Sequence, residues 1–245
     1  SVKIEAAPGR AGVAPDITLN YSSNNVIEGS MGVGWSLGGV QMITRCPQTP
    51  IHDSNIRAVN YSSEDRFCLD GRRLILISGA YGAPNSTYRL EVDDLSTIRA
   101  IGGSTANGPQ YFEIKNKAGE THYFGNTSIL TPAFNNPLDS RDAFVEPAGF
   151  TAGVLAKAWA IKAIEDVKGN FISFHYDKDR QRGTHFLSSV NYSGHRPSGR
   201  AAFAEIRFVY KDYGKGFVGY QAGTKAFRDR LLTRVESKID DQFYR

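Results

Sequence analysis

Apolar and polar residues alternate with a period of two in many short segments of the chain, which is the pattern of half-buried β-strands. Residues 111–115 show it clearly, with Phe112 and Ile114 predicted to face one side of a sheet. Similar runs predict further strands at residues 16–22, 40–45, 67–77, 88–92, 120–124, 171–176, 186–192, 204–210 and 231–239. The chain is therefore predicted to be all-β, with little helix.

Turn signals between these runs predict that neighbouring strands form hairpins. Asp70-Gly71 separates two apolar runs, which is a strong short-range hairpin signal. Residues 116–119 separate a second pair of runs. A turn that ends at Gly169-Asn170 lies before the run at 171–176 and predicts a third hairpin. Successive hairpins of this kind build twisted antiparallel sheets, as in a β-sandwich.

Two segments leave their secondary structure open. In residues 154–164, alanines and lysines favour a helix, whereas the alternation of Trp159 and Ile161 favours a strand, and we prefer the strand. Residues 220–230 are interpreted as a turn or a short helix.

One long segment has the composition of a loop. Residues 131–150 hold three prolines and little periodicity, so the main internal boundary is predicted there. We divide the chain into an amino-terminal β region at 1–135, a loop boundary at 136–150 and a second hairpin region at 151–245.

Residues 32–39 read GVGWSLGG and contain G-x-S-x-G, the pattern of the nucleophile elbow of α/β-hydrolases. That elbow needs a buried strand before the serine and a helix after it. The two adjacent glycines at 38 and 39 are a poor helix start, because glycine lowers helix stability. Catalysis by Ser36 is therefore the less favoured interpretation.

The favoured interpretation of the same residues is structural. Gly32 and Gly34 are expected to allow tight turns and close approach of strands. Trp35 and Leu37 are predicted to pack into the core, with Ser36 on the opposite face.

Charge and cysteine content exclude some function classes. The net charge of +4 is spread along the chain, whereas nucleic-acid binding needs basic residues clustered on one face. No apolar run is long enough to span a bilayer, and no Cys/His cluster has metal-ligand spacing. We therefore expect no nucleic acid, no membrane span, no metal and no cofactor. Cys46 and Cys68 are either a disulfide or two half-buried thiols, depending on the compartment.

The order of several motifs resembles a known family. Residues 9–22, which run from Gly-Arg-Ala-Gly to Asn-Tyr-Ser, followed by Gly-Val-Gly-Trp-Ser-Leu at 32–37, resemble the opening of the SpvB/TcaC amino-terminal domain. Ala11 stands where the family pattern has glycine. Residues 159–176, with Trp-Ala-Ile, Gly-Asn and His-Tyr, resemble the RHS/YD-type strand pairs of the same bacterial toxin proteins.

This resemblance implies a non-catalytic structural and delivery module of a larger exported bacterial toxin-like protein. Its sheets are then expected to belong to a β-shell, like that of RHS proteins and of the B components of Tc toxins, which encloses a toxic carboxy-terminal segment. The implied partners are the remainder of the polypeptide or a toxin-complex chain, together with a cell-surface target. The implied location is secreted or extracellular. The family's ADP-ribosyltransferases need a Glu-x-Glu pair, which this chain lacks.

The chain starts without methionine and stops within a predicted strand, so we expect it to be a piece of a longer polypeptide. We predict structural roles, and no catalytic, cofactor-binding or metal-binding roles, for eight residues: Gly32, Gly34, Trp35, Leu37, Trp159, Gly169, Asn170 and Tyr176.

Two functions of other classes remain as alternatives. A stand-alone β-sandwich could bind carbohydrates or surfaces through exposed tyrosines, and a serine hydrolase would use Ser36. Loss of glycan binding on removal of exposed tyrosines would support the first. Loss of ester hydrolysis in Ser36→Ala would support the second.

Overall fold

The computed structural model describes residues 1–24, 28–29, 31–127, 142–151, 153–240 and 242–244. These residues form an all-β, antiparallel structure with little helix, as the sequence predicted. The strands are β1 (Val2–Lys3), β2 (Thr18–Tyr21), β3 (Glu28–Gly29), β4 (Gly32–Val33), β5 (Trp35–Gly38), β6 (Met42–Cys46), β7 (Arg66–Leu69), β8 (Arg72–Ser78), β9 (Thr87–Leu90), β10 (Thr97–Ile101), β11 (Tyr111–Lys115), β12 (Thr121–Gly125), β13 (Phe144–Val145), β14 (Ala158–Glu165), β15 (Asn170–Asp179), β16 (Thr184–His195), β17 (Ala204–Gln221), β18 (Thr224–Ile239) and β19 (Gln242–Phe243). The described helices are α1 (Pro50–Asp53) and two 3₁₀ turns, Arg10–Gly12 and Arg196–Ser198.

Eight strands, β6 to β12 and β14, close into an antiparallel barrel. Each strand from β6 to β12 pairs with the next, and β14 closes the ring by pairing with both β6 and β12. Trp159 of β14 lies opposite Ile43 of β6, and Ile164 lies opposite His122 of β12. Closure removes the open edges that a sheet of this size otherwise presents.

The sheet also continues outside the barrel, because β14 pairs with two more strands. Its first residues pair with β13, and Ala163 to Glu165 pair with β15. From β15 the strands run in sequence order through β16, β17, β18 and β19. We call β15 to β19 the outer sheet.

Residues 220–230 are strand, so the prediction of a turn or short helix there was wrong. Tyr220 of β17 lies opposite Lys225 of β18, and the two strands turn at Ala222 and Gly223, which both have positive φ (47° and 76°). The pattern was obscured by bulges between Val209 and Tyr210 and between Asp212 and Phe217, because each bulge shifts the period-two alternation.

The predicted hairpins are confirmed, and the strand preferred over 154–164 is confirmed for residues 158–164, whereas residues 154–157 are not strand. Asp70 and Gly71 both have positive φ (48° and 80°), as a two-residue turn between β7 and β8 requires. Residues 158–165 form β14 and lead through a turn into β15. All but one of the eight residues of β14 are buried, which explains why its alternation was weak.

The division at 136–150 stays a prediction, and its first part lies outside the described residues. Within 142–150, β13 pairs with β14, and Ala143 and Phe144 are buried. The chain on both sides of the predicted boundary therefore contributes to one sheet.

The barrel interior is filled by aromatic rings around Trp159, which is 0% exposed. Its ring meets those of Phe67 and Phe112 edge to face, with centroids 5.2 and 5.0 Å apart. Its Nε1 donates a hydrogen bond to the carbonyl oxygen of Pro109 at 2.8 Å. Tyr88, also 0% exposed, packs against the same two phenylalanines. Edge-to-face pairs and a satisfied indole N–H are favourable for buried aromatic residues.

A small sheet of β1, β2 and β5 has no strand pairing with the barrel, but its neighbour Ile17 belongs to the same apolar core and Leu37 packs against it. Trp35 and Leu37 of β5 are half-buried rather than fully buried, and Ser36 between them is exposed. The predicted facing is thus correct, but the core position predicted for Trp35 is not. Its ring instead lies 5.3 Å from that of Tyr21 on β2.

Cys46 and Cys68 form a disulfide, which resolves the alternative left open by the sequence. The two residues lie on the paired strands β6 and β7, so the disulfide reinforces a hairpin of the barrel. The described residues include no free cysteine.

The burial of the two tryptophans predicts unequal effects of substitution. Trp159→Ala should lower the free energy of unfolding by about 3–5 kcal/mol, because it leaves a cavity in the barrel core. Trp35→Ala is the matched control and should cost less than half as much, since its ring is half-buried. Urea unfolding of both variants checks this, and equal losses would show that the barrel interior is not the main core.

Candidate functional site

Ser36 does not lie in a nucleophile elbow. It occupies the middle of β5, opposite Asn20 of β2, and the chain leaves β5 through Gly38 and Gly39 towards another strand. An elbow instead places the serine on a sharp turn between a strand and a helix. The described residues provide no acid or base in contact with the Ser36 hydroxyl.

The predicted structural residues fall into three separate places. Gly34 and Trp35 lie in the small sheet, where a Cβ at Gly34 would stand only 2.8 Å from the Tyr21 ring. Gly32, at the β4 end, has a φ of 93° that glycine adopts without strain, but no neighbour crowds it. Trp159 and Tyr176 are buried in the barrel and outer sheet.

The third place is the turn between β14 and β15. Gly169 has a φ of 85°, and a Cβ there would stand 2.4 Å from Pro197. The Asp166 carboxylate accepts hydrogen bonds from the backbone N–H groups of Lys168 and Asn170, both at 2.8 Å, and from the Asn170 amide. Burial alone would raise the Asp166 pKa, but these hydrogen bonds bring it below its ordinary value. Asn170 therefore holds the turn closed.

Arg45 is the residue that ties the barrel end together, and sequence reasoning missed it. Its guanidinium is buried and pairs with the buried carboxylate of Asp65 at 3.1 Å. It also donates hydrogen bonds to the carbonyl oxygens of Ser62, Asn107 and Ala156 at 3.0, 2.9 and 2.6 Å. All three nitrogens of the guanidinium are therefore bound to protein groups, and these bonds join segments that are distant in sequence. No local pattern around residue 45 indicates these contacts.

A second buried polar cluster, here the Asp142 cluster, lies between β13, β14 and β15. The Asp142 carboxylate accepts hydrogen bonds from Lys162 Nζ at 2.5 Å and from the Tyr176 backbone N–H at 3.1 Å. Tyr176 in turn donates from its hydroxyl to the carbonyl oxygen of Ile161 at 2.7 Å. Burial raises the Asp142 pKa, and the Lys162 charge opposes that shift.

Two histidines border the Asp142 cluster in their neutral form. Burial, with the nearby Lys162 charge, lowers the pKa of His175 to about 3. Burial lowers the pKa of His185 to about 4, against a hydrogen bond from its ring to the Asp142 carbonyl oxygen. The His185 ring stacks on Tyr176 with centroids 4.5 Å apart. The cluster is therefore a structural network that needs neutral histidines.

The long hairpin of β17 and β18 contacts the loop before β7 and the turn between β15 and β16. Near its tip, the hydroxyls of Thr224 and Tyr61 lie 3.0 Å apart, and the Phe227 backbone N–H donates to the Arg182 carbonyl oxygen at 3.1 Å. Asp229 pairs with the Arg182 guanidinium at 2.6 Å. A cleft of about 470 Å³ remains between the hairpin and the barrel, and we call it the basic cleft because several of its walls carry cations.

The outer sheet ends in an edge that is mostly open. On the side of β18 away from β17, β19 pairs with Lys238 and Ile239. Between residues 228 and 236, no strand in the described part of the chain pairs with this edge. Such an edge presents backbone donors and acceptors to any further strand.

Within the described ranges, no group of three or more His, Cys, Asp or Glu side chains is placed to hold a metal ion. Among the same residues, no helix has the length and apolar character needed to cross a membrane.

The fold and its candidate surfaces define a class: a closed eight-stranded barrel with an outer sheet attached through one shared strand. A family model described as SpvB, Salmonella virulence plasmid 65kDa B protein, matches residues 1–214. The chain therefore belongs to the SpvB family, as its motifs suggested. The comparison with curated protein sequences gave no match.

Solved structures share the fold at low identity. The N-terminal domain of effector protein SpvB from Salmonella typhimurium strain LT2 superposes with a TM-score of 0.69 and 18% identity, over 97% of this chain and 87% of that one. TcdB2-TccC3 gives a TM-score of 0.68 and 18% identity over 96% of this chain. The Photorhabdus luminescens Tc holotoxin pore gives 0.68 and 17% over the same share. This chain spans only 13% and 12% of those two chains.

The neutral state of His175 predicts a dependence of stability on pH. Its pKa is about 3 in the fold, against about 6.5 in an unfolded chain. Between these values the unfolded chain binds more protons, so the free energy of unfolding falls as the pH falls through this window. One such histidine contributes at most about 1.4 kcal/mol per pH unit.

His175→Gln removes this titration, so its unfolding free energy should fall less steeply between pH 6 and 4.5, by about that amount per pH unit. Ser173→Ala is the matched control, because it removes the 3.2 Å hydrogen bond to the His175 ring but leaves the imidazole. It should be less stable than the native chain with an unchanged slope. Equal slopes in His175→Gln and the native chain would contradict a neutral, buried His175.

Proposed function

We propose that this chain is a non-catalytic structural and delivery module of a larger exported bacterial toxin-like protein. In this role it forms part of a β-shell that carries or encloses a toxic carboxy-terminal segment. Membership of the SpvB family and the shared fold with Tc toxin chains support the proposal. Its partners are then the remainder of the same polypeptide or a toxin-complex chain, with a cell-surface target, and its location is outside the producing cell.

The observation that carries the proposal is the way in which the sheet leaves the barrel. The barrel has no edge of its own, because β14 closes it on β6 and β12. The outer sheet starts from the same strand and ends at β18, whose outer edge pairs with the two-residue β19 and is otherwise open among the described residues. A sheet that is sealed on one side and open on the other is suited to continue into a larger wall, because an added strand completes its hydrogen bonds.

The absence of catalysis is also part of the proposal. The sequence offers one formal nucleophile motif, and its Ser36 lies within a strand rather than on a strained turn. The buried charges of Arg45 and Asp142 are bound to protein groups and hold strands together. Hydrolysis of activated esters by the native chain, lost in Ser36→Ala with the fold intact, would overturn this part.

The proposal predicts the size of the native polypeptide. An antibody raised against this chain should detect, in the producing organism and its medium, a band several times larger than the 26.9 kDa of these residues. A strain with the gene deleted is the control for specificity. A single band near 26.9 kDa would show that the domain works alone, and the shell function would then fall.

A further inference from the structure

The basic cleft has an unbalanced charge. Its described walls include four cationic side chains, those of Arg45, Lys157, Arg228 and Arg230, and no carboxylate. Arg45 is neutralised outside the cleft by Asp65, and Arg230 by Asp212 at 3.0 Å, and Arg228 also has an interaction partner of its own. A cleft lined by one sign of charge concentrates the opposite ion.

Lys157 is a cation in this cleft that has no counter-ion among the described residues. It immediately precedes β14, and its backbone is held by a hydrogen bond from its N–H to the Val145 carbonyl oxygen at 2.7 Å. Its side chain is half-buried, and its ammonium makes no hydrogen bond or ion pair with the described residues. Burial and the nearby Arg228 charge both lower the Lys157 pKa. An anion in the cleft would relieve both effects.

The remaining walls determine what kind of anion fits. Trp35, Phe186 and Phe227 contribute aromatic surface, and Val59 adds an aliphatic one. A small inorganic ion leaves this surface exposed, whereas a carboxylate attached to an apolar group covers it. The cleft lies between the β17–β18 hairpin and strands β6 and β14, and its volume of about 470 Å³ can hold a peptide side chain.

We propose that the basic cleft binds an acidic peptide segment, with a carboxylate on Lys157 and a neighbouring apolar side chain against Trp35 and Phe227. Ammonium and guanidinium groups bind carboxylates through charge-assisted hydrogen bonds. The apolar contact supplies area burial that salt does not screen. This ligand site is additional to the module function and does not depend on it.

Trp35 lies in the wall and serves as a local reporter. The experiment titrates the purified 245-residue chain with the peptide acetyl-Phe-Glu-amide at low salt and follows tryptophan fluorescence. Acetyl-Phe-Gln-amide, which has the same shape without the charge, is the ligand control. We expect saturable binding of the Glu peptide, weakened by added NaCl, and at least about tenfold weaker binding of the Gln peptide.

Lys157→Met keeps the length of the side chain and removes its charge, so it should raise the Kd of the Glu peptide about tenfold. Lys115→Met is the matched control, because Lys115 is exposed on β11 and outside the cleft. Circular dichroism verifies that each variant is folded.

Equal binding of the Glu and Gln peptides would overturn the proposal, and so would equal effects of Lys157→Met and Lys115→Met. Inorganic phosphate is titrated as a separate arm. Tighter binding of phosphate than of the Glu peptide, dependent on Lys157, would replace the peptide by a phosphate ligand. No saturable signal by fluorescence or calorimetry would show that the cleft has no anion ligand of this class.

Discussion

The structure depends on the hydrogen bonds of one eight-residue strand, β14. Its first half pairs with β6 and β13, and its second half pairs with β12 and β15. Backbone groups in a buried strand must be paired, so these four partners are a requirement of the burial of β14 rather than an addition to it. The same strand thereby closes the barrel and begins the outer sheet. It also carries Trp159 into the barrel interior and Lys162 to the Asp142 cluster, so one strand joins the apolar core to the buried polar network.

Buried charges mark the places where distant segments meet. Arg45 joins the 62–65 and 107 loops to the residues that enter β14, and its carboxylate partner is as deeply buried as its own guanidinium. Asp142 performs a similar task between β14 and β15, with Lys162 as its partner. Pairs of this kind contribute little net stability compared with apolar packing, but they penalise alternative arrangements in which one charge loses its partner. We infer that the Arg45–Asp65 and Lys162–Asp142 pairs specify how the loops next to β14 are arranged.

Local patterns predicted most of the strands and hairpins, because alternation and turn residues act over a few positions. Asp70-Gly71 and the Gly169-Asn170 turn were recognised for this reason. Barrel closure could not be predicted in the same way, since the pairing of β14 with β6 is set by packing over a long separation in sequence. The two tryptophans show the same limit: both lie in strands, but only Trp159 occupies the interior, whereas Trp35 lies at the rim of the basic cleft. Neither that cleft nor the Arg45 contacts have a local signature, because each requires loops and a hairpin brought together by the fold.

Closure of the barrel through β14 also imposes a delay between the synthesis of the first barrel strand and the completion of its pairing. Met42 pairs with Ala160, roughly 120 residues later in the chain, so β6 leaves the ribosome long before the strand that completes its pairing. At about 10 residues per second this delay is on the order of ten seconds. During that time the outer edge of β6 has no strand partner and is exposed to neighbouring chains and to chaperones. The order of the strands thus makes the early half of the domain dependent on protection until β14 has been synthesised.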